Sequence, residues 1–213
     1  MRLILTALLC LGLAACGGTT APVVVIPTPP SGPTDPTPPT TGGIETAAQM
    51  RSGANGLLNS FADPVVFTPI DDLPNVMTAT YDGYAYGTLA NTDDGVTDSL
   101  LGNLSLTVSL TATSAAISGS IDNIVNADDE TLGGSLTLSG GSFDRDGDPQ
   151  TDSTLRATFS GLLTDGAQSL DVGGQLQGDF LANNHAAVGG QLLGSVIVSG
   201  FDQDINGGFI AER

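Results

Sequence analysis

The chain has 213 residues, and 23 acidic side chains outnumber five basic ones, which gives a formal net charge of −18 at pH 7. All five basic residues are arginines, and this balance disfavours nucleic-acid binding, because phosphate neutralisation needs clustered Lys and Arg. Nucleophilic and acid–base catalysis draws mainly on His, Cys, Lys and Glu, yet the chain beyond residue 16 has one His, three Glu, no Cys and no Lys. We therefore expect a single domain that is not an enzyme and has no cofactor or metal centre.

The N-terminus has the features of a secretory signal. A basic start at Arg2 precedes an apolar run over residues 3–13, which is too short to span a bilayer. The sequence LAAC, ending at Cys16, resembles a bacterial lipobox, in which the cysteine is acylated and becomes the new N-terminus. A disulfide to Cys10 is the alternative, but Cys10 would leave with the signal. We predict a lipoprotein signal peptide over residues 1–15 and attachment to the outer membrane through lipid on Cys16.

Residues 16–43 form a second region, set apart by composition. Between Ala21 and Thr40 they hold eight prolines, which exclude a helix, and too few apolar side chains to build a core. We predict an extended linker that carries the next domain away from the lipid surface. A disordered linker without a spacing role fits the same residues.

A short helix is predicted within residues 44–72. Apolar residues recur there at helical spacing, and Pro64 ends the pattern. Arg51 interrupts the apolar stripe, and Gly53 lowers the helix propensity. We expect this helix to pack on the domain that follows.

From Met77 onward the apolar period is two. In the stretch LSLTVSLT, for example, Leu104 and Leu106 alternate with Ser105 and Thr107. Eight such runs, separated by Asp, Asn and Gly clusters, predict an all-β domain over residues 73–213, an eight-stranded antiparallel up-and-down β-barrel, with a two-sheet sandwich as the alternative. The runs lie near 77–89, 101–112, 115–125, 132–143, 153–161, 169–182, 186–199 and 205–212.

The apolar face of these strands is expected to fill the barrel. A barrel that spans the membrane would instead need an apolar outer face and aromatic girdles, but here the other face is Ser, Thr, Gln and Asp, and aromatics are 5% of the chain. Inward glycines would let the strands coil as the barrel closes. The large side chains predicted to point inward are Leu104, Leu106, Leu136, Leu138, Phe159, Leu176, Phe180 and Phe209.

The last two segments resemble a known family. GGQLQGDFLANNHAAVGGQLLGS and the final GGFIAER resemble the closing strands of the C-terminal barrel of transferrin-binding protein B and related surface lipoproteins, and ATYDGYAYG is similar to the first strand of that barrel. The resemblance implies a barrel, a lipid anchor and display on the cell surface, through the export machinery that handles such lipoproteins. This chain has room for one barrel, and host transferrin is not implied as its ligand. The matching positions are Gly178, Phe180, Ala186, Val188, Gly189, Gly190, Gly194, Gly208, Phe209, Ala211 and Arg213.

Barrel topology predicts that acidic residues gather at one end. Alternate connections of an up-and-down barrel share an end, so the loops after the first, third, fifth and seventh strands lie together. Such a rim would steer a basic protein ligand, with Phe201 as an aromatic anchor, although a uniformly acidic soluble protein would also place Asp in turns. The carboxylates predicted at this rim are Asp93, Asp94, Asp98, Asp128, Asp129, Glu130, Asp165, Asp202 and Asp204.

Two further stretches are candidates for a metal or ligand site, and each also has a simpler interpretation. FDRDGDPQTD has the alternating carboxylates of a calcium loop, but Pro149 stands where glycine is needed and Leu155 where glutamate is needed, so an acidic hairpin loop is favoured. His185, in ANNHAA, is expected in the turn between the sixth and seventh strands, as a solvated histidine rather than a lone ligand.

These features together favour a surface-displayed binding module, in nutrient or metal-carrier capture, facing outward from the outer membrane. The alternatives are a small-ligand carrier that uses the barrel interior, a structural envelope lipoprotein, and a periplasmic orientation.

Overall fold

The computed structural model describes residues 44–61, 64–90, 97–198 and 200–213. Within these ranges no helix is long and apolar enough to cross a membrane. Helix α1 spans Ala47–Phe61, and two 3-10 turns span Ile70–Asp72 and Asn183–His185. The strands are β1 (Met77–Ala90), β2 (Thr97–Leu110), β3 (Ala115–Val125), β4 (Gly133–Gly134), β5 (Leu136–Phe143), β6 (Leu155–Asp165), β7 (Gln168–Leu181), β8 (Ala187–Val198) and β9 (Phe201–Glu212).

The strands form one closed antiparallel sheet. From β1 to β3 and from β5 to β9 each strand pairs with the next, β3 pairs with β5, and β1 also pairs with β9, which closes the wall. The short β4 pairs with β6, as β5 does, and only Ser135 separates β4 from β5, so both occupy one position in the wall. The predicted eight-stranded up-and-down barrel is therefore confirmed over the two-sheet sandwich.

Three strands are longer than the sequence predicts. β2 begins at Thr97, β6 runs to Asp165 and β9 begins at Phe201, and each extension pairs across a hairpin. Asp is a poor strand former, but pairing with a partner strand overrides that preference. The loop placement predicted for five residues is therefore wrong, because they lie within strands: Asp98, Asp165, Phe201, Asp202 and Asp204.

The barrel interior is a single apolar core. Inward side chains from every main strand belong to one continuous cluster. Each of the eight large side chains predicted to point inward is at most 5% exposed. Phe180 forms an edge-on contact with Phe143, with ring centroids 5.5 Å apart. The predicted inward orientation of these eight side chains is therefore confirmed.

Glycines in the wall make room for aromatic rings. Gly174 of β7 and Gly194 of β8 are directly paired, and both lie against the ring of Phe159. A Cβ atom on either glycine would come within 2.9 Å of Phe159 Cζ, which is closer than real Cβ atoms approach. The glycine pair and the phenylalanine therefore act together to fill the barrel.

Helix α1 packs on the outside of the barrel. Its buried residues Ala47, Met50, Ala54 and Leu57 form a second apolar cluster with five residues of the wall, Tyr84, Val125, Leu181, Ala187 and Ile210. A Cβ atom on Gly53 would lie 2.1 Å from the Tyr84 hydroxyl, so the glycine allows the close approach. The Tyr84 hydroxyl donates to the Glu45 carboxylate at 3.3 Å, and burial raises the Tyr84 pKa. The expected packing of the helix on the domain is thus observed.

Candidate functional site

The two ends of the barrel carry different connections. Because the strands alternate in direction, the connections 126–132 and 166–167 lie at the same end of the barrel as the last residues of β1 and β8, here called the first end. The connections 111–114, 144–154 and 182–186 share the opposite, second end. The sequence-predicted rim residues that the structure describes belong to the first end, and FDRDGDPQTD and His185 belong to the second.

The predicted rim residues differ in position and in how much of them the structure describes. Asp128, Asp129 and Glu130 lie exposed in the loop between β3 and β4, and Asp202 and Asp204 are exposed on β9. Asp165 ends β6 beside its hairpin turn. Asp93 and Asp94 lie outside the described residues, and only the strand positions of Asp98 and Phe201 are described.

The side chain of Asn126 holds the backbone of the loop after β3 through hydrogen bonds. The Asn126 side chain is 8% exposed, and its Oδ1 accepts the backbone N–H groups of Asp128 at 3.0 Å and of Glu130 at 2.9 Å. The Asn126 N–H donates in turn to the Glu130 carbonyl. This arrangement fixes the backbone and leaves the three carboxylates of the loop facing solvent.

Arg51 of α1 neutralises one of these carboxylates. Its Nη2 forms an ion pair with Asp129 Oδ1, and the hydrogen bond with the guanidinium holds the pKa of Asp129 below its usual range. The sequence presents Arg51 only as an interruption in an apolar stripe. A partner 78 residues away gives no local signal.

Apolar side chains stand among the acids on the outer wall near the first end. Leu162, Asp171, Ile197 and Asp202 occupy one row across β6, β7, β8 and β9. Leu162 is 57% exposed and Ile197 is 44% exposed, while Asp171 lies between them. The sequence analysis missed this row, although the outward parity of Leu162 and Ile197 in their strands was a usable signal.

A segment of the lead-in chain covers the second end. Residues 64–76, here called the strap, place the buried Leu73 against the barrel core. The Thr68 N–H donates to the Phe180 carbonyl at 2.9 Å, and the Arg145 guanidinium donates to the Pro74 carbonyl at 3.0 Å. The core is therefore closed from this side.

The acidic loop at the second end uses its carboxylates internally. Asp144 Oδ1 accepts the N–H of Asp146, and Asp148 Oδ1 accepts the N–H of Gln150, each at 3.0 Å. In the described ranges no group of three or more His, Cys, Asp or Glu is arranged to hold a metal ion. The loop has the hydrogen bonds of an acidic hairpin connection.

Asp179 is a buried carboxylate that the sequence analysis did not single out. It is 7% exposed, and its Oδ1 accepts the Thr154 hydroxyl at 2.6 Å and the Thr154 N–H at 2.9 Å. Burial raises the pKa of Asp179, against the lowering effect of these two hydrogen bonds. It therefore anchors the 144–154 loop to β7.

His185 lies between β7 and β8, where the sequence predicts it, but it is half-buried and hydrogen-bonded. Its Nε2 lies 2.9 Å from Nη1 of Arg213. Burial lowers the pKa of His185, and the positive charge of Arg213 lowers it further. The side chain is thus part of the closure of the second end.

A small cavity lies among the described residues that face the barrel interior. Its volume is about 30 Å³, and it is lined by apolar side chains and glycines, among them Gly87, Gly102, Leu136, Phe159 and Ile205. Small-molecule sites usually measure about 300–1,000 Å³ and hold a few polar groups. This cavity has the size of packing space rather than of a ligand site.

No protein-family model, curated protein or solved structure matches this chain. The likeness to transferrin-binding protein B therefore remains a hypothesis based on the glycine and aromatic pattern of the sequence.

Proposed function

We propose that this chain is a surface-displayed binding module, anchored to the outer membrane through lipid on Cys16, that captures a basic macromolecule such as a nutrient or metal carrier. The observation that carries the proposal is the filled interior. One continuous apolar core occupies the interior, and the cavity within it, of about 30 Å³, is far below the usual size of a small-ligand site, so we assign recognition to the outer surface. A carrier role for the interior finds no support in this packing.

The distribution of charge favours the first end as the contact surface. Of the four arginines in the described residues, Arg145, Arg156 and Arg213 lie toward the second end, and Arg51 at the first end is paired with Asp129. Among the described residues, the carboxylates of Asp128, Glu130, Asp202 and Asp204 are exposed, and none of them forms an ion pair with a basic side chain. A surface of this kind steers a cationic partner over a distance of about 10 Å at moderate salt.

The exposed apolar side chains indicate what kind of basic partner would fit. Leu162 and Ile197 flank Asp171 on the outer wall, so a partner with apolar and basic side chains side by side could contact all three. Self-association through this row would bring like charges together and is disfavoured. The proposed ligand is therefore a different, cationic macromolecule.

The anchor is tested separately from the ligand. In Cys16→Ser no acyl chain can attach, and acyl chains are the only apolar attachment proposed for the chain. We expect this variant to move from the membrane fraction to the soluble fraction after cell lysis. A Cys16→Ser protein that still sediments with membranes would contradict lipid anchoring.

The ligand surface is tested with two variants that each remove five charges. The rim variant carries Asp128→Asn, Glu130→Gln, Asp165→Asn, Asp202→Asn and Asp204→Asn. The second-end variant carries Asp72→Asn, Asp144→Asn, Asp146→Asn, Asp148→Asn and Asp152→Asn, and amide oxygens can still accept the backbone hydrogen bonds of the loop.

The two variants are compared for recovery of ligand from the native cell surface and for association rate with a labelled oligolysine peptide. We expect the rim variant alone to lose ligand and to lose the salt dependence of the rate, because steering weakens as salt rises. Equal effects of both variants, or binding that does not depend on salt, would contradict the proposal.

A further inference from the structure

The connection between β7 and β8 is unusually strained. Three non-glycine residues in it have positive φ, namely Ala182 at 61°, Asn184 at 60° and His185 at 48°. Asparagine and histidine are enriched in this region, but alanine enters it at a cost. Ala182 also has ψ of 177°, a combination that is almost confined to glycine. Such a backbone persists only where its surroundings hold it in place.

The strained turn and the strap hold one another. The Ala182 N–H donates to the Val66 carbonyl at 2.7 Å, and the Thr68 hydroxyl donates to the Ala182 carbonyl at 2.6 Å. Phe67 also forms an isolated antiparallel bridge with Leu181. The turn between β7 and β8 is therefore hydrogen-bonded to the strap, which covers the second end.

The other side of the turn is held through His185. The Tyr81 hydroxyl donates to the His185 carbonyl at 3.1 Å, and the Arg213 N–H donates to the Ala186 carbonyl at 3.0 Å. The His185 side chain adds its contact with the Arg213 guanidinium. Three contacts thus hold the His185 side of the turn, and one of them depends on the ionisation state of the ring.

The contact with Arg213 requires a neutral histidine. Guanidinium is a donor without an acceptor, so Nε2 of His185 accepts from Arg213 and the ring proton lies on Nδ1. The Nδ1 atom is buried and has no hydrogen-bond partner among the residues that the structure describes. A second proton would turn Nε2 into a donor facing another donor, with two positive charges about 3 Å apart.

No carboxylate in the described residues forms an ion pair with the His185 ring. Arg213 is the charged group that acts on the His185 ring, and the strap residues 66–68 beside the turn are uncharged. From β1, burial raises the Tyr81 pKa to about 12, so this hydroxyl stays neutral. Glu212 acts on the Tyr84 hydroxyl, which lies beneath α1 on the outside of the barrel.

We propose that residues 182–186 form an acid-released clasp, in which protonation of His185 breaks its contact with Arg213, relaxes the strained turn and frees the strap from the second end. The neutral ring belongs to the closed state, so the clasp is intact above the ordinary histidine pKa and is lost as the pH falls through the lowered pKa of His185. Opening would remove Leu73 from the barrel core and free the end of β7 at Phe180, whose carbonyl accepts the Thr68 N–H.

The test follows amide hydrogen exchange at Thr68 and Ala182, whose N–H groups donate across the clasp. Protection factors, which correct for the intrinsic effect of pH, are measured between about pH 7.5 and pH 5, the range in which histidine titrates. We expect protection at both amides to fall by roughly tenfold, the factor for loss of one hydrogen bond to a charged group. Amides of Gln175 and Leu193, in the ladder of β7 and β8, should keep their protection.

Two substitutions decide the mechanism. His185→Gln has no ionisable ring. The protection factors of the Thr68 and Ala182 amides should therefore show no step between about pH 7.5 and pH 5, whatever their absolute values. Arg213→Gln keeps the histidine but removes the opposing cation, and its step should be less than half that of the unmodified chain. Asp179→Asn, a titratable site outside the clasp, should keep the full step. A flat profile in the unmodified chain, or an unchanged step in either clasp variant, would overturn the proposal.

Discussion

At the first end of the barrel the carboxylates of Asp128, Asp202 and Asp204 face solvent, whereas at the second end Asp179 is buried and the strap covers the core. Both ends are rich in Asp, so composition alone does not distinguish them. The two ends differ in the hydrogen bonds of their carboxylate oxygens. At the second end, carboxylate oxygens accept hydrogen bonds from Thr154 and from the backbone of the loop. Exposed carboxylates remain available for a partner, and hydrogen-bonded ones stabilise the closure.

The largest expected effect comes from the core that both ends enclose. Phe180→Ala and Phe209→Ala should each lower the free energy of unfolding by about 3–5 kcal/mol, because each leaves a cavity in a closed barrel. Chemical denaturation measures the change. Ser142→Ala, at an exposed position of β5, is the matched control and should stay within about 0.5 kcal/mol of the unmodified chain. Losses below about 1 kcal/mol for both phenylalanines would mean that the strand register is wrong.

The next effect concerns α1, which is tied to the first end through Arg51. Glycine-to-alanine substitution inside a helix ordinarily stabilises by about 1 kcal/mol. In Gly53→Ala the new methyl would meet the Tyr84 hydroxyl at 2.1 Å, so we expect destabilisation of about 1–3 kcal/mol instead. Asn59→Ala, on the exposed side of the same helix, is the control. A gain in stability for Gly53→Ala would show that α1 does not dock as described.

A pH-dependent effect is expected from Asp179 at the second end. Its folded-state pKa is raised by burial, so its contribution to stability is complete below the ordinary value of 3.8 and is lost as the pH rises through the raised pKa. Asp179→Asn removes this loss, and its stability relative to the unmodified chain should therefore increase from pH 4 toward pH 7. Thermal unfolding across this range measures the difference.

Asp179→Ala serves as the companion to that variant. It removes the acceptor as well as the charge and leaves the buried Thr154 donors unpaired, so it should be less stable than Asp179→Asn by about 1–3 kcal/mol at each pH. A difference between Asp179→Asn and the unmodified chain that stays constant with pH would refute the assignment of the raised pKa.

The smallest effect is expected from the ion pair at the first end. Arg51→Gln removes the partner of Asp129, but the pair is exposed to solvent and screened by salt. We expect a small fall in melting temperature at low salt that disappears at high salt. Arg156→Gln, whose guanidinium contacts a backbone carbonyl, should show no such salt-dependent fall. A fall for Arg51→Gln that persists at high salt would indicate another role for Arg51.

The barrel and its core were predictable because they follow from local periodicity. Alternation of apolar and polar residues predicts that Leu104 and Leu106 point into the barrel, even when the partner strand is unknown. The helical spacing of Ala47 and Ala54 identifies α1. Strand ends were less predictable, since Asp202 and Asp204 are poor strand formers that β8 holds in the ladder.

The contacts that define the two ends had no local signal. Thr68 meets Ala182 across 114 residues, and Tyr81 meets His185 across 104. The positive φ of Ala182 is equally hidden, because alanine has no preference for that region. These features depend on how the closed barrel brings distant segments together.

The central claim is that the first end of a filled barrel is the ligand surface, and chemical-shift mapping with a cationic peptide tests it most directly. The labelled barrel is titrated with oligolysine at low salt, and shifts are followed residue by residue. We predict that the largest shifts fall on Asp128, Glu130, Asp165, Asp202 and Asp204 and that they vanish at high salt. Shifts of equal size across Asp144–Asp152, or shifts confined to the side chains that line the barrel interior, would contradict the account.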